Sequence, residues 1–492
     1  MGVYFLLALS FFCFAASILL LLLPQSFPLH LILPFKFVKQ QETDKLSAQW
    51  NILYHLGGNG PWIPKIDGVV DGGIAIPNGC KIDMIHMMSR HGERYPTQNA
   101  GARMIALVER IKSTGRKMKG ALTFMNNWDY FSHAPHQHFE QLTTTGPYAG
   151  TLEAFGTGVK FRTRYHHLWN DTTPHPPPTI FWASEADRVV DTAKYFGAGF
   201  FGLDYEQSGR AKLEIISEAA DKGGNTLTPG DTCTKYLEDQ ETGRSLGEQM
   251  LFKYSSTYLP VIAKRLEEEN PGFEFTDSEV FSMQEMCGFE TTVRGSSKWC
   301  NVFSQDEWLK FEYARDVIHF YRAGPGNPYA MAMGWLWLNA TANLIQKGPE
   351  AGPVFLSFGH DGDIIPMLAA LGLFDDKKKL PIDEVYTNRR WRTSQIVPMG
   401  GRILLERMVC SADPSHDDSQ AGVFIRFNVN DGIVALPGCD SGPGESCPLD
   451  KLMAHVAERG SMGGDFRKTC GLPEWAPDRL TFLRQPGRVH VA

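Results

Sequence analysis

The sequence predicts an α/β fold in which helices cover a mainly parallel sheet, together with a smaller, mainly helical part. Two observations lead to this prediction. Short apolar runs that end in polar or charged turns recur along the chain, and each is followed by a segment typical of a helix. Long helical segments also occupy the middle of the chain. Repeated succession of strand, turn and helix is what a parallel sheet requires, because each crossover must return to the same sheet.

Three runs are the predicted strands. Lys81 to Ser89 is rich in Ile and Met and stops abruptly at a charged turn. Thr179 to Ala183 ("TIFWA") and Val354 to Phe358 ("VFLSF") are shorter and have polar endings. Ligands of such sheets gather at the carboxyl ends of the strands, so the residues that follow these runs are the first place to look for a site.

Two segments predict the helical part. Ser304 and Glu307 have the spacing of a capping box, and the helix that they begin should stop at Ala323 to Gly326 ("AGPG"). Ser245 to Asn270 predicts one further helix, closed by the Pro-Gly pair that follows it. Together they predict a helical subdomain inserted into the α/β part.

Composition limits the classes of function. The chain has 492 residues, 43% of them hydrophobic and 12% aromatic, which is enough to bury a large core. Its 48 basic and 55 acidic residues give a formal net charge of −7. This balance argues against a nucleic-acid binder held by a general basic field, so any anion binding must be local.

Residues 1–35 are predicted to be a targeting segment. Val3 to Leu23 carries no charge, and Ala15 to Ser17 offers small residues for cleavage, as in a secretory signal peptide. No Lys or Arg precedes the run, and it is about long enough to span a bilayer, so an uncleaved N-terminal anchor is the alternative. The expected localisation is therefore secreted, with anchoring by this segment as the alternative.

Cysteine usage also favours export. Of the nine cysteines, Cys13 lies in the apolar leader, and the other eight contain no CxxC pair. An even number without close spacing is typical of a disulfide framework rather than a zinc site. The two short loops Cys287 to Cys300 and Cys439 to Cys447 are local candidates, and buried free thiols are the alternative reading. Export would also make the acceptors at Asn170 and Asn339 relevant for glycosylation.

The strongest chemical motif is "MMSRHGERYPTQ", residues Met87 to Gln98. Arg90 and Arg94 stand on either side of His91, and such cations repel one another unless an anion lies between them. A phosphate dianion fits, because each planar guanidinium donates two parallel hydrogen bonds and stays charged. Neutral imidazole beside a bound phosphate is a competent nucleophile, and its attack gives a phosphoenzyme that water hydrolyses.

Two further residues of this motif support the same interpretation. Gly92 is expected to let the backbone turn sharply and come close to the ligand. Thr97 can add a hydroxyl donor to the phosphate. The alternative without a function is that the arginines form surface ion pairs and the histidine is a packed side chain. This alternative fits the complete pattern poorly.

A second motif supplies the acid that a leaving alkoxide needs. Ser357 to Asp363, "SFGHDGD", follows a predicted strand. Asp361 is the predicted general acid, and His360 is a further donor to the phosphate. A His-Asp pair in a Gly-rich turn is common by itself, and its weight comes from its combination with the first motif.

The chain resembles the histidine acid phosphatases, the branch of the phosphoglycerate-mutase-like superfamily that has an Arg-His-Gly-x-Arg-x-Pro motif and a distal His-Asp. Trp182 to Gly202 looks like the family's third element, which places Arg188 on the phosphate, although "EADRVVD" is also an ordinary salt-bridged helix start. Glu290 to Trp308 and Ala323 to Pro328 look like the fungal acid phosphatases and phytases, particularly the broad-specificity acid type. The resemblance runs from about Trp50 to Gly471.

The resemblance implies a phosphoglycerate-mutase-like central sheet flanked by helices, a smaller mainly helical domain and an active site between them. His91 would be the phosphorylated nucleophile and Asp361 the acid. The groups that bind the phosphoryl oxygens would be Arg90, Arg94, Arg188 and His360. Neither a metal nor another cofactor is implied, because cationic side chains carry the charge stabilisation. The implied disulfides are Cys80–Cys410, Cys233–Cys470, Cys287–Cys300 and Cys439–Cys447.

The predicted segments follow from this reading. They are a signal or anchor over residues 1–35, α/β parts over 50–125, 179–202 and 341–471, a helical and loop insertion over 126–178, a mainly helical domain over 203–340 and a tail over 472–492. His133, His136 and His138 have spacing that could bind a metal, but without an evident fourth ligand we predict a polar loop.

The predicted function is a secreted phosphomonoester hydrolase that works at acidic pH through phosphohistidine. Low pH raises the fraction of Asp361 that carries a proton when the ester breaks. Broad specificity is expected, with phytate as a possible substrate, since the net charge hints against a phytate specialist but cannot locate a pocket. The partners are phosphorylated small molecules and not nucleic acid. The alternatives are a phosphotransferase or mutase of the same superfamily and a membrane-tethered, non-catalytic binding protein.

Overall fold

A computed structural model describes residues 50–169, 177–376, 378–412 and 420–488. Within these ranges eight strands form one mixed sheet. The strands are β1 (Cys80–Arg90), β2 (Thr179–Ser184), β3 (Ala211–Ile216), β4 (Val354–Gly359), β5 (Arg402–Cys410), β6 (Gly422–Val429), β7 (Gly432–Val434) and β8 (Cys447–Pro448). Their order is β3-β2-β4-β1-β5-β6-β7, and β8 pairs with β6. The three predicted strands are confirmed as β1, β2 and β4, with slightly longer bounds.

The sheet has a parallel half and an antiparallel half. Strands β3, β2, β4 and β1 are parallel, and the register of β1 and β4 ends with Arg90 opposite Gly359. Strand β5 then runs antiparallel to β1, as do β6 to β5 and β7 to β6. The carboxyl ends of four strands therefore meet at one edge, where side chains from distant parts of the chain come together.

The helices found in the described residues cover this sheet and fill the segment between β3 and β4. They are α1 (Gln98–Ser113), α2 (Pro135–His138), α3 (Gly150–Tyr165), α4 (Asp187–Phe201), α5 (Pro229–Thr232), α6 (Thr234–Glu238), α7 (Leu246–Ser255), α8 (Leu259–Glu269), α9 (Asp277–Arg294), α10 (Gln305–Arg322), α11 (Ala330–Lys347), α12 (Asp361–Leu371), α13 (Thr393–Ile396), α14 (Leu449–Gly463) and α15 (Phe466–Cys470). The α/β fold with flanking helices is confirmed.

Helices α3 and α4 pack closely because each carries a glycine at their contact. A Cβ on Gly158 would lie 2.2 Å from the carbonyl oxygen of Phe196, and one on Gly199 would lie 2.2 Å from that of Phe155. The apolar faces of both helices join the core over the sheet, where Phe161 is buried with residues of β2 and β4. This packing places the N-terminus of α4 at the carboxyl edge of the sheet.

One predicted helix begins as expected and another is divided. Ser304 caps α10, and Glu307 completes the capping box. The prediction of a single helix over Ser245 to Asn270 is wrong, because the chain forms α7 and α8 there. Pro260 lies in the first turn of α8, and a proline in the middle of one continuous helix would remove a hydrogen bond and clash with the preceding turn.

All four implied disulfides are present. Cys80 and Cys410 face each other in the register of β1 and β5, so their bond joins the two halves of the sheet. The Cys233–Cys470 bond joins the start of α6 to the end of α15. Both close long stretches of chain, which restricts the unfolded state most.

Other predictions lie wholly or partly outside the described residues. The leader and Asn170 belong to ranges that the structure does not describe, whereas Asn339 lies half-buried on α11. Residues Ile52 to Ala492 form one compact unit, and the domain boundaries predicted within it stay a prediction. In the part of the chain that is described, no helix combines the length and apolar character needed to cross a bilayer.

Candidate active site

A cleft of about 570 Å³ opens at the carboxyl edge of the parallel strands. Its wall includes every site residue that the sequence predicts. These residues are Arg90, His91, Arg94, Thr97, Arg188, His360 and Asp361. The topology explains this convergence, because β1 ends directly before His91, β4 directly before His360, and β2 leads into α4, which carries Arg188.

The turn after β1 depends on two glycines that touch. A Cβ on Gly92 would lie 2.8 Å from the carbonyl oxygen of Gly150, and a Cβ on Gly150 would lie 2.1 Å from that of Glu93. The close approach that Gly92 permits is therefore to the start of α3, whereas the sequence suggested an approach to the ligand. Its amide also donates to Thr192 Oγ1 at 2.9 Å, which attaches the turn to α4.

His91 is held in one tautomer. Its Nδ1 lies 2.9 Å from the carbonyl oxygen of Gly92, which can only accept, so Nδ1 carries the proton and Nε2 the lone pair. Burial, followed by the charges of Arg90 and Arg94, lowers the pKa of His91 well below its ordinary value of 6.5. The imidazole therefore stays neutral and nucleophilic in acidic solution.

Arg90 is the most rigidly held cation of the cleft. It is 2% exposed and donates from Nη1 to the carbonyl oxygens of Gly58 and Val397, each at 2.7 Å. Its Nη2 lies 3.1 Å from Oδ2 of Asp361. These contacts aim one edge of the guanidinium at the space in front of His91.

Asp361 begins α12 and accepts from the Gly362 amide at 2.8 Å through Oδ1. Burial acts to raise the pKa of Asp361, but the positive charges of Arg90 and of the α10 residue Arg322 outweigh it. They hold the pKa of this carboxyl well below its ordinary value. With only protein groups around it, Asp361 is a carboxylate.

Three arginines around His91 have unused hydrogen-bonding capacity. The Nε atoms of Arg90, Arg94 and Arg188 are buried and have no hydrogen-bond partner among the described residues. Burial, together with Arg90 and Arg188, lowers the pKa of Arg94 to about 9. Buried donors without partners and crowded like charges are both relieved by a bound dianion, so this part of the cleft is suited to phosphate.

Thr97 caps a helix, in addition to its predicted contact with phosphate. It is the N-cap of α1, and its Oγ1 accepts from the Ala100 amide at 3.4 Å. As an acceptor there, the hydroxyl still has its own proton to donate into the cleft. The predicted contact between Thr97 and phosphate stays a prediction.

One wall of the cleft is formed by α10, whose residues were not predicted as part of the site. Arg315, His319 and Arg322 line the cleft and are spaced by four and three residues, which is one face of a helix. This spacing was readable once α10 was predicted. Burial lowers the pKa of His319 to about 3, so this imidazole is neutral between its two arginine neighbours.

The cleft is rich in arginine although the whole chain is acidic. Seven arginines line it: Arg90, Arg94, Arg103, Arg188, Arg244, Arg315 and Arg322. Several have carboxylate partners, such as Glu285 on α9, which lies 3.0 Å from Arg103 and 3.7 Å from Arg315. Asp231 similarly lies 3.4 Å from Arg244. The cleft thus contains a local concentration of positive charge that the negative net charge of the chain did not suggest.

His133, His136 and His138 are not among the residues that line the cleft. The prediction of a polar loop is wrong in part, because His136 and His138 lie in the short helix α2. His138 contacts Ser132 Oγ through Nδ1 at 2.9 Å, and its ring centroid is 5.0 Å from that of His133. Within the described ranges, no three His, Cys, Asp or Glu side chains are grouped so that they could hold a metal ion.

Comparisons with known proteins show the family of the chain. The family model of the histidine phosphatase superfamily (branch 2) matches residues 81–430. A phytase of Candida albicans is 37% identical over 88% of this chain and 90% of the relative. An acid phosphatase of Komagataella pastoris is 35% identical over 90% and 91% of the two chains. The constitutive acid phosphatase of Saccharomyces cerevisiae is 33% identical over 87% and 88%.

Solved structures agree as well. The crystal structure of the phytase from D. castellii superposes with a TM-score of 0.80 and 29% identity, covering 90% of this chain and 94% of that one. A Bifidobacterium longum multiple inositol polyphosphate phosphatase, determined with phosphate, shares the fold with a TM-score of 0.60 and 15% identity, covering 82% and 97% of the two chains.

Proposed function

The chain belongs to branch 2 of the histidine phosphatase superfamily, and from this we propose that it hydrolyses phosphoric monoesters at acidic pH through a phosphohistidine intermediate. The observation that carries the proposal is the environment of His91. A neutral imidazole with its lone pair on Nε2 lies among three arginines whose buried Nε donors have no partner in the described chain.

In the first step, a phosphate monoester binds with its oxygens on Arg90, Arg94 and Arg188. His91 Nε2 attacks phosphorus, and the bond from phosphorus to the ester oxygen breaks. Asp361 gives its proton to the departing oxygen, so the alcohol leaves neutral and the carboxyl becomes a carboxylate.

In the second step, Asp361 takes a proton from water as the water oxygen attacks the phosphorus of phosphohistidine. The bond from phosphorus to Nε2 breaks, and His91 regains its lone pair while phosphate leaves. The same carboxyl thus acts first as acid and then as base, and the cycle ends with both residues in their starting states.

Acidic pH suits both groups. The low pKa of His91 keeps the nucleophile unprotonated as pH falls. Asp361 must be protonated before the ester breaks, and a bound dianion raises its pKa because it offsets the charge of the arginines that lowered it. We expect a bell-shaped pH dependence, with His91 setting the acid side and the groups that must carry a proton in the complex, Asp361 among them, setting the alkaline side.

The proposed substrates are phosphate monoesters in general, with phytate among them. Arg103, Arg244 and Arg315 lie outside the group around His91 and could meet additional phosphates, but each is near a carboxylate that already balances part of its charge. Because carboxylates balance part of the charge of these arginines, the cleft favours broad specificity over a preference for substrates with many phosphates. Transfer of phosphate to an acceptor other than water is the alternative, and the hydrolysed and transferred fractions distinguish the two.

Export is part of the proposal. Four disulfides suit an oxidising compartment, and the apolar leader would direct the chain there. The domain organisation that we propose is an α/β part built on the sheet, with the helices between β3 and β4 forming one wall of the cleft.

The test compares the natural chain with His91→Ala on p-nitrophenyl phosphate. We expect His91→Ala to lose essentially all activity, and we expect the natural enzyme, quenched during turnover of labelled substrate, to carry phosphate on a histidine. Asn343→Ala on α11, outside the cleft, is the matched control. Undiminished hydrolysis by His91→Ala would remove this residue from the mechanism.

A further inference from the structure

Glu218 lies two residues beyond the end of β3 and was not predicted as part of the site. We propose that Glu218 is a positioning residue that orients the His360 imidazole and keeps it able to donate a hydrogen bond to the substrate phosphate. The inference rests on the proposed function, because it needs a phosphate in front of His360.

The contacts around Glu218 are specific. Its Oε1 lies 3.1 Å from Nε2 of His360, and Oγ of Ser184 lies 3.4 Å from the same nitrogen. Hydrogen bonding by the Ser184 hydroxyl and the Ala186 amide also helps to lower the pKa of Glu218. The carboxylate is thus attached to the end of β2 and presented to one edge of the imidazole.

This contact determines which ring nitrogen of His360 carries a proton. A carboxylate only accepts, so the proton is on Nε2. The other nitrogen, Nδ1, lies 3.4 Å from Nη2 of Arg188, which only donates. Among these protein partners His360 is therefore neutral, with its lone pair on Nδ1.

A bound phosphate requires a proton on Nδ1 of His360, whereas Arg188 requires a lone pair there. A phosphoryl oxygen accepts hydrogen bonds, so His360 contributes to binding only if Nδ1 also carries a proton. The ring is then an imidazolium, which needs a counter-charge on its far side. Glu218 is in place to supply it, in the same way that a carboxylate behind a histidine stabilises the imidazolium in other catalytic sites.

The other charges near His360 do not replace Glu218. Arg188 on α4 is a cation and His91 after β1 is neutral, so neither can act as a counter-ion for the ring. Asp361 is paired with Arg90, and Asp363 accepts from the His360 backbone amide at 2.8 Å. Burial raises the pKa of Asp363 well above its ordinary value, which weakens it as a counter-ion. Glu218 is the carboxylate in direct contact with the imidazole edge.

Glu218 stays ionised through the acidic range. Burial opposes its ionisation, but the hydrogen bond from His360 lowers the pKa of Glu218 to about 2. A carboxylate beside His360 stabilises the doubly protonated ring that phosphate binding requires. Removing that carboxylate should therefore move the alkaline side of the activity profile to lower pH.

The experiment measures kcat and KM of Glu218→Gln for p-nitrophenyl phosphate from acidic to neutral pH. We expect kcat/KM to fall about tenfold or more at the neutral end and little at the acidic end, with most of the change in KM, because a charge-assisted contact is lost. Glu218→Asp keeps the charge and should recover part of the loss. Glu214→Gln, on β3 and paired with Lys212 at 3.6 Å, is the matched control and should behave like the natural enzyme.

The His360→Asn variant separates a positioning role of Glu218 from a general structural role. In His360→Asn the amide donates without gaining a proton, so adding Glu218→Gln should not shift the alkaline limb further. An equal loss at every pH, or the same further loss in His360→Asn, would overturn the inference. If Glu218→Gln does not fold, Glu218→Asp is measured instead, and a pH profile identical to that of the natural enzyme would overturn the inference. A natural chain without monoesterase activity would instead refute the proposed function.

Discussion

Arg90 ends β1 and Asp361 comes just after β4, 271 positions apart in the chain, yet their side chains form an ion pair of 3.1 Å inside the cleft. The pair joins a residue predicted to bind phosphate to the residue predicted to protonate the leaving group. The arginine is also held by two backbone carbonyls, and the carboxylate accepts from the Gly362 amide, so both partners of the pair are fixed by the backbone. A substrate that binds Arg90 therefore alters the charge that Asp361 experiences.

The first prediction concerns the acid. Asp361→Asn should lower kcat by about 10²–10⁴ for an ester with an alkyl alcohol as leaving group, because the alkoxide then leaves without a proton. In kcat/KM, which reports only the steps up to release of the alcohol, the loss should be much smaller for p-nitrophenyl phosphate, whose phenolate is stable unprotonated. Parallel assays with glycerol phosphate and the nitrophenyl ester check this, and equal losses on both would argue that Asp361 acts only by placing Arg90.

The second prediction concerns the acid side of the pH profile. Arg94 helps to lower the pKa of His91, so Arg94→Met should raise that pKa and leave more of the nucleophile protonated at low pH. We expect the acid limb of kcat/KM to move to higher pH, in addition to an increase in KM. Arg94→Lys retains a charge and should shift the limb less. An acid limb in the same place for both variants would remove Arg94 as a cause.

The third prediction tests the two touching glycines. Gly150→Ala puts a methyl group 2.1 Å from the Glu93 carbonyl, and Gly92→Ala puts one 2.8 Å from the Gly150 carbonyl. Both should displace the turn that carries His91 and lower activity strongly, with Gly150→Ala also lowering stability by about 2 kcal/mol or more. Thermal unfolding and kcat on the nitrophenyl ester provide the measurements.

Gly156, on the same helix as Gly150, is the control for this pair. No atom lies within 4 Å of the Cβ that an alanine would add there. Gly156→Ala should leave activity unchanged and stabilise the chain by about 0.5–1 kcal/mol, because alanine loses less backbone entropy in a helix. Full activity in Gly92→Ala would contradict the packing argument.

The fourth prediction concerns the disulfide between the two halves of the sheet. Replacing Cys80 and Cys410 together by serine should lower the free energy of unfolding by about 2–5 kcal/mol, because the bond closes a separation of 330 residues. Activity at low temperature should persist, since neither cysteine lines the cleft. Denaturant titration measures the loss, and a stability equal to that of the natural chain would show that sheet pairing alone suffices.

The fifth prediction concerns substrate preference. Glu285 offsets charge on Arg103 and Arg315, so Glu285→Gln should favour esters with several phosphates over those with one. We expect kcat/KM for phytate relative to p-nitrophenyl phosphate to rise about threefold to tenfold, an effect that should shrink with added salt. An unchanged ratio would place the additional phosphates elsewhere in the cleft.

Sequence alone was sufficient for the features that are local or carry their chemistry in one short segment. The run that becomes β1 ends two residues after its last apolar side chain, Met88, and the capping box of α10 uses neighbouring side chains. His91 and its arginines lie within one short segment. The even number of cysteines indicated disulfides, whereas the pairing came from the family resemblance. These features depend on residue type and spacing, which the sequence states directly.

Tertiary structure decided which distant residues share the cleft. Glu218 reaches His360 across 142 positions, and Arg315, His319 and Arg322 enter because α10 turns that face toward the carboxyl edge of β1 and β4. The strand order determines which of these residues come close together, and strand order depends on the packing of the whole core. For the same reason a net charge of −7 concealed seven clustered arginines, since composition sums charges that folding separates in space.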